Sequence, residues 1–247
     1  MASYLVWAVL LLAAYSKADK IGTPASIYDY PGIAQVEIGL PGLIWTQQCA
    51  ATIITSWHLL SVASCFLGAT EYRRIRAGTE TRSSGGYLSY VASANNHPDH
   101  EFDADICVVR VLTQLPLGDT IQQTAILGQG ITLPTGLPVG LLGWGTTAEG
   151  GSVSSPQLYS LDLLVTDPDS CAITYLDEKT VTENNICVGL TILTGRDYDA
   201  RDMGDPLYYQ NVLVGLLSHG RKESEDEYPI VSTLISSYTD WIIANAV

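Results

Sequence analysis

Short apolar runs follow one another along most of the chain: "IAQVEIGL", "ATIITS", "HLLSVAS", "YRRIRAG", "YLSYVAS", "DICVVRVL", "GLPVGLLGWG", "YSLDLLVT", "NVLVGLLS" and "PIVSTLI". They are rich in Val, Ile, Leu and Tyr, which fit a pleated, half-buried surface, and clusters of Gly, Pro, Asn and Asp interrupt them. Strand-length runs at this spacing predict an all-β sandwich or barrel. Two stretches have helical character. "DPDSCAITYL" offers Asp167 or Asp169 as an N-cap, and "SSYTDWIIANAV" repeats Tyr238, Trp241 and Ile242 at helical spacing behind a Ser/Thr cap. A final helix packed on a barrel is the expected end of the chain.

The opening segment, "MASYLVWAVLLLAAYSKADK", is apolar but short for a bilayer span, and small residues follow it. It reads as a secretory signal peptide over residues 1–18, cut after Ser16 or Ala18, with residues 19–20 as a short propeptide. The expected product is therefore secreted and free of the membrane. The 247 residues are ample for a substantial core, and hydrophobic residues make up 47% of them. The 26 acidic residues against 12 basic ones leave a net charge of −14, which repels nucleic acid and anionic membrane. "ESEDE" is the densest acidic stretch and reads as a solvated loop.

Five Cys suit an oxidising compartment. Cys49 and Cys65 share the spacing of Cys171 and Cys187, which leaves Cys107 over, either a buried hydrophobe or a thiol paired between chains. His97, Asp99 and His100 do not follow a recurring zinc spacing, so no metal and no cofactor are expected.

Several landmarks then fall in one order. "QQCAATIITSWHLLSVASC", "RIRAGTETRSSGGYLSYVASANNHPDHEFDADICVVRV", "LLGWGTT", "TENNICVGL", "ARDMGDPL", "LVGLLSHG" and "YPIVSTLISSYTDWI" together resemble trypsin-like serine proteases of the peptidase S1 family. The likeness is strongest to the digestive enzymes of moths and butterflies. It spans nearly all of the mature chain. The resemblance implies two antiparallel six-stranded β-barrels with the site in the cleft between them and a C-terminal α-helix. The N-terminal barrel would cover about 21–125, the C-terminal barrel about 126–235 and the helix about 236–246. It also implies the disulfides Cys49–Cys65 and Cys171–Cys187.

The family's chemistry needs a Ser nucleophile, a His base, a buried Asp that orients the His, and backbone N–H groups for the oxyanion. The Asp position is filled by Asp105. The His position carries Ser64, whose hydroxyl is no base near neutral pH. The Ser position carries Met203, whose thioether has no proton to lose and forms no acyl-enzyme. No other His stands at a spacing that restores the triad. His58 lies at the far end of its strand, and His219 replaces a family Trp beside the cleft.

Further positions have changed. The oxyanion-hole Gly is Arg201, and the second Gly after the nucleophile is Asp205. The specificity pocket keeps Asp197 with Ser218, His219 and Gly220, but Ile230 replaces the Gly that would leave it open. The two Cys that would brace this pocket are Asp199 and Glu223. A cut after Lys20 would expose Ile21, and Asp202 would accept its ammonium, although the following "IGTP" is shorter than the family pattern.

The expectation is a secreted serine protease homologue without proteolytic activity. It would act as a decoy, cofactor or other binder of a protein or peptide, with a protease or protease inhibitor as the candidate partner. Two alternatives stand beside it. One is an active hydrolase with a displaced nucleophile such as Ser64 or Ser218. The other is a structural or storage protein of a secretion, egg or gut lumen.

Overall fold

The computed structural model describes residues 22–39, 44–145, 154–176, 180–190, 203–220 and 229–247. The N-terminal barrel is built from β2 (Ile33–Gly39), β3 (Trp45–Ile53), β4 (His58–Ser61), β5 (Arg73–Ala77), β6 (Tyr87–Asn96) and β7 (Cys107–Val111). They close in the order β2-β3-β4-β7-β6-β5. The C-terminal barrel uses β9 (Pro138–Gly143), β10 (Tyr159–Val165), β11 (Asn185–Leu190), β12 (Pro206–Tyr209), β13 (Val212–His219) and β14 (Ile230–Leu234). Pairing of β10 with β9 closes it in the order β9-β12-β13-β14-β11-β10. All these pairings are antiparallel, as the family resemblance implies.

Two short strands tie the barrels' ends. β1 (Thr23–Pro24) pairs with β10, and β8 (Ala125–Ile126) runs parallel to β13. The ten apolar runs find β2 to β7, β9, β10, β13 and β14. They miss β11 and β12. β12, "PLYY", is too short for a period and opens on Pro, while Gly189 and the flanking polar residues mask β11.

Closure leaves each strand with one face turned inward, which is why alternate side chains are apolar. In the N-terminal barrel Ile33, Val36, Ile53, Leu59, Ile75 and Val109 are shut off from water. Val139, Leu141, Leu163, Val188, Val214 and Leu217 fill the other. Each such side chain contributes roughly 1.5–3 kcal/mol over its exposed state. The disulfides Cys49–Cys65 and Cys171–Cys187 form, each with Cα atoms 6.4 Å apart. In the chain-entropy picture loops of this length contribute about 3 kcal/mol each. Cys107 stays free and buried, and burial pushes its thiol up, so it serves β7 as a small hydrophobe.

The helix α1 (Pro168–Thr174) starts where the sequence places it. Asp167 is its cap, accepting from the Ser170 N–H at 2.8 Å, and Pro168 takes the first turn. The terminal helix α2 (Thr239–Asn245) corrects one expectation, because its cap is Tyr238 rather than a Ser or Thr. The nearby hydroxyls are committed elsewhere. Ser236 donates to the Ile131 carbonyl and Thr239 to the Leu127 carbonyl, both at 2.6 Å. The helix lies against the N-terminal barrel, with Ile242 buried and the His97 ring edge-on to Tyr238 and Trp241 at 5.1 and 4.9 Å.

A buried cation holds the turn that leads from β4 towards β5. Arg73 donates to the carbonyls of Cys65 at 2.6 Å, Ala69 at 2.7 Å and Leu67. One planar fork thus satisfies three carbonyls that no strand reaches. Arg73→Met should leave all three without donors and lower unfolding free energy by about 2–4 kcal/mol, read from urea denaturation midpoints. A change within the error of such a measurement would remove this role.

His58 is buried at the start of β4. Its Nδ1 lies 3.1 Å from the Thr55 hydroxyl, and burial, helped by the nearby Arg110 charge, lowers its pKa. Folding therefore disfavours the protonated ring. Stability from this group is full above the ordinary histidine value of 6.5 and falls as pH drops from there towards the lowered folded value. Denaturation midpoints measured from about pH 8 down to pH 5 should fall less steeply for His58→Gln than for the parent. Equal slopes would show that His58 does not carry the dependence.

Candidate functional site

The chain passes from β4 into a 3-10 turn, Ala63–Phe66, which carries Ser64 to the edge of the N-terminal barrel. The loop before β7 brings Asp105 to the same edge, where it is 6% exposed. From the other barrel, the end of β13 supplies Ser218 and His219. Ser64 and Asp105, two of the positions that the resemblance assigns to a triad, therefore meet beside Ser218 and His219.

Asp105 is the centre of this group. Its Oδ1 accepts the Ser64 N–H at 2.9 Å, and its Oδ2 accepts the Ser64 hydroxyl at 3.0 Å. The same Oδ2 accepts the Ser218 hydroxyl at 2.6 Å. Thr233 donates to the Asp105 carbonyl at 2.8 Å. A buried carboxylate needs such donors to stay charged at tolerable cost. Here hydroxyls from both barrels supply them, and no imidazole takes part.

His219 Nδ1 lies 3.4 Å from the Ser218 oxygen. Ser218 has one proton and gives it to Asp105, so in this arrangement the His219 nitrogen can only donate to that oxygen. The His219 ring also meets the Tyr175 ring edge-on, with centroids 5.4 Å apart, and the Tyr175 hydroxyl donates to the Pro229 carbonyl at 2.7 Å. Tyr175 is a site residue that sequence reasoning did not single out. It ends the α1 turn, and only folding carries it beneath His219.

Met203 is half-buried and packs against the main core cluster. Its carbonyl accepts the Ala50 N–H at 3.0 Å, and the Gly204 N–H bonds the Leu217 carbonyl at 2.7 Å. Gly204 has φ +80°, and a Cβ there would stand 2.3 Å from the Ala50 carbonyl oxygen. Only glycine fits that close approach. The adjoining Asp205 is fully buried, and a Cβ on Gly143 would fall 1.9 Å from its Oδ2. Asp205 thus fills the space that a glycine in the neighbouring strand leaves open.

Ile230 opens β14, pairs with Val188 and is half-buried against the core of the C-terminal barrel. Gly220 follows β13 and is half-buried. Asp197, Asp199, Arg201, Asp202 and Glu223 lie outside the described residues, as do Lys20 and Ile21. Among the described residues no group of three or more His, Cys, Asp or Glu side chains is arranged to hold a metal ion.

A second clasp escaped the sequence reading. Asp103 accepts from the Thr182 hydroxyl at 2.8 Å and from the Asn184 amide at 3.0 Å. The loop leading to Asp105 is thereby fastened to the segment before β11. No local pattern announces such a pairing, because its partners are far apart in sequence.

The arrangement has known counterparts. Trypsin CFT-1 of Choristoneura fumiferana is 31% identical over 230 residues, 91% of this chain and 90% of its own. "Trypsin, alkaline C" of Manduca sexta is 30% identical over the same shares. Among solved structures, the scabies mite inactivated protease paralogue S-D1 superposes with a TM-score of 0.78 at 20% identity, covering 92% of this chain and 97% of that one, a likeness of fold. The family described as Trypsin matches residues 20–242, and with barrels, cleft and moth relatives in agreement, the chain belongs to the trypsin family.

Proposed function

We propose that this chain is a secreted trypsin-family protein that has given up peptide hydrolysis and acts by binding a protein or peptide along the former cleft. The observation that carries the proposal is the set of donors on Asp105. In a working triad the carboxylate holds an imidazole that removes a proton from the nucleophile. Here Ser64 and Ser218 occupy the carboxylate, and the thioether of Met203 stands at the nucleophile's position. In a related constellation, losing Ser or His alone lowers turnover by on the order of 10⁶, about 8 kcal/mol of barrier.

The two substitutions are also complementary in volume. Ser64 is smaller than an imidazole and Met203 larger than a serine. Packing of Met203 on the core keeps the cleft floor dense, which suits a surface retained for contact. The acidic chain favours a partner whose contacting surface is neutral or basic.

One observation speaks for the rival hydrolase reading. Ser218, His219 and Asp105 lie side by side. Their order is wrong for attack, however. Ser218 is 4% exposed and its proton points at the carboxylate, so His219 takes no proton from it. A storage role makes no use of the cleft. It would show as no stoichiometric partner captured by the protein from its native fluid.

A fluorophosphonate probe should leave the mature protein unlabelled, and an arginine ester should turn over at the rate of buffer alone. Stoichiometric labelling at Ser64 or Ser218 would sink the proposal. The double variant Ser64→His with Met203→Ser should also stay nearly inactive, because Ile230 narrows the pocket and Arg201 replaces the oxyanion-hole glycine. Hydrolysis within about tenfold of an ordinary trypsin, a difference of 1.4 kcal/mol in barrier, would show that the pocket is open after all.

A further inference from the structure

The outer face of the C-terminal barrel carries a hollow of about 460 Å³ that shares no residue with the cleft. Strand register explains it. Gly140 of β9 stands directly opposite Tyr208 of β12 on one side and Asp162 of β10 on the other. Leu141, Leu163 and Leu207, the next residues along, turn into the barrel core. Tyr208, Gly140 and Asp162 therefore form a row across three strands on the face turned away from that core, with Asp162 exposed and Tyr208 nearly covered within the larger core cluster. Neighbouring strands lie about 4.8 Å apart, so the backbones of Tyr208 and Asp162 stand roughly 10 Å apart with a glycine between them.

Two local features run against ordinary strand and turn chemistry, and both belong to this hollow. Gly140 sits in mid-strand, where glycine weakens a sheet, and a Cβ there would meet nothing closer than the Ser160 hydroxyl at 3.7 Å. The glycine is not forced by crowding; its effect is to keep the hollow deep. The β12–β13 turn is Gln210–Asn211, with φ of +50° and +64°. A two-residue turn of this hand favours Asn-Gly, and Gln in the left-handed region costs about 1 kcal/mol or more. Its side chain lines the hollow.

The chemistry of the lining is specific. Tyr30 reaches over from the N-terminal segment, its ring 6.0 Å from that of Tyr208 and tilted by 31°. Burial pushes the Tyr208 phenol up to about 12, so it stays neutral. Opposite stand an exposed carboxylate, Asp162, and the Ser160 hydroxyl, with the Gln210 and Asn211 amides at the rim. Among the described residues no cation pairs with Asp162. Among the described residues no Lys or Arg lines the hollow, and the chain is strongly acidic, so an anionic ligand is disfavoured. Half-buried Tyr30 backed by Tyr208 on one wall, a carboxylate on the other and amides at the rim match a ring with C–H faces and several hydroxyls.

We propose that this hollow binds a short neutral saccharide, one ring against Tyr30 and a hydroxyl pair on Asp162. Its size suits one or two sugar rings. The site works whatever the state of the cleft, so it stands apart from the proposal on hydrolysis.

Isothermal titration of the mature protein with maltose, cellobiose and N,N′-diacetylchitobiose tests this. At least one should bind with a Kd near or below about 1 mM. Gly140→Leu, which fills the floor, and Asp162→Asn, which changes an exposed carboxylate, should each weaken it at least about tenfold. Asp162→Asn keeps the test open if Gly140→Leu does not fold. Three results would overturn the inference: no binding of any of the three at about 10 mM, binding that ignores both substitutions, or saturation by spermidine with no response to sugars, which would make the hollow a cation site.

Discussion

The carboxylate of Asp105 is the point on which the two barrels meet. A buried charge of this kind is costly unless every lone pair is used, and its donors come from both halves of the molecule. Ser64 belongs to the N-terminal barrel and Ser218 to the C-terminal one, which also sends the Thr233 hydroxyl to the Asp105 backbone carbonyl. In an active relative the same carboxylate would orient an imidazole. Here hydroxyls hold it, so Asp105 serves the joint between the barrels. Asp103 adds a second pair of bonds across the same seam.

The joint gives Asp105 a structural role of its own. Removing its carboxylate would strand three donors there. The loop around Met203 follows the same rule. Gly204 remains because its close approach to Ala50 admits no side chain. Asp205 is tolerated because Gly143 leaves space for its carboxylate.

The outer face of the C-terminal barrel obeys a different constraint. Its inward residues are fixed by the core, and Tyr208 by its own burial, but Gly140 and Asp162 are not, since nothing packs over the glycine. Departures from good strand and turn chemistry at Gly140 and Gln210 weaken the sheet locally without a packing reason. A barrel closed by six strands can bear that cost, because its inward face and its ladder hydrogen bonds are untouched.

The period-two apolar runs determined most of the barrel strands, because side chains alternate between core and solvent whichever strand lies alongside. The paired spacings of Cys and the Asp cap of α1 were equally legible, since each depends on residue types at fixed positions. Tertiary structure decided the rest. β11 and β12 become strands only because closed barrels give them partners on both sides. Tyr175 reaches His219, Asp103 reaches Thr182, and Tyr208 lines up with Asp162 across a glycine, through pairings between distant segments. The sequence names those side chains, but register and barrel closure determine which of them meet.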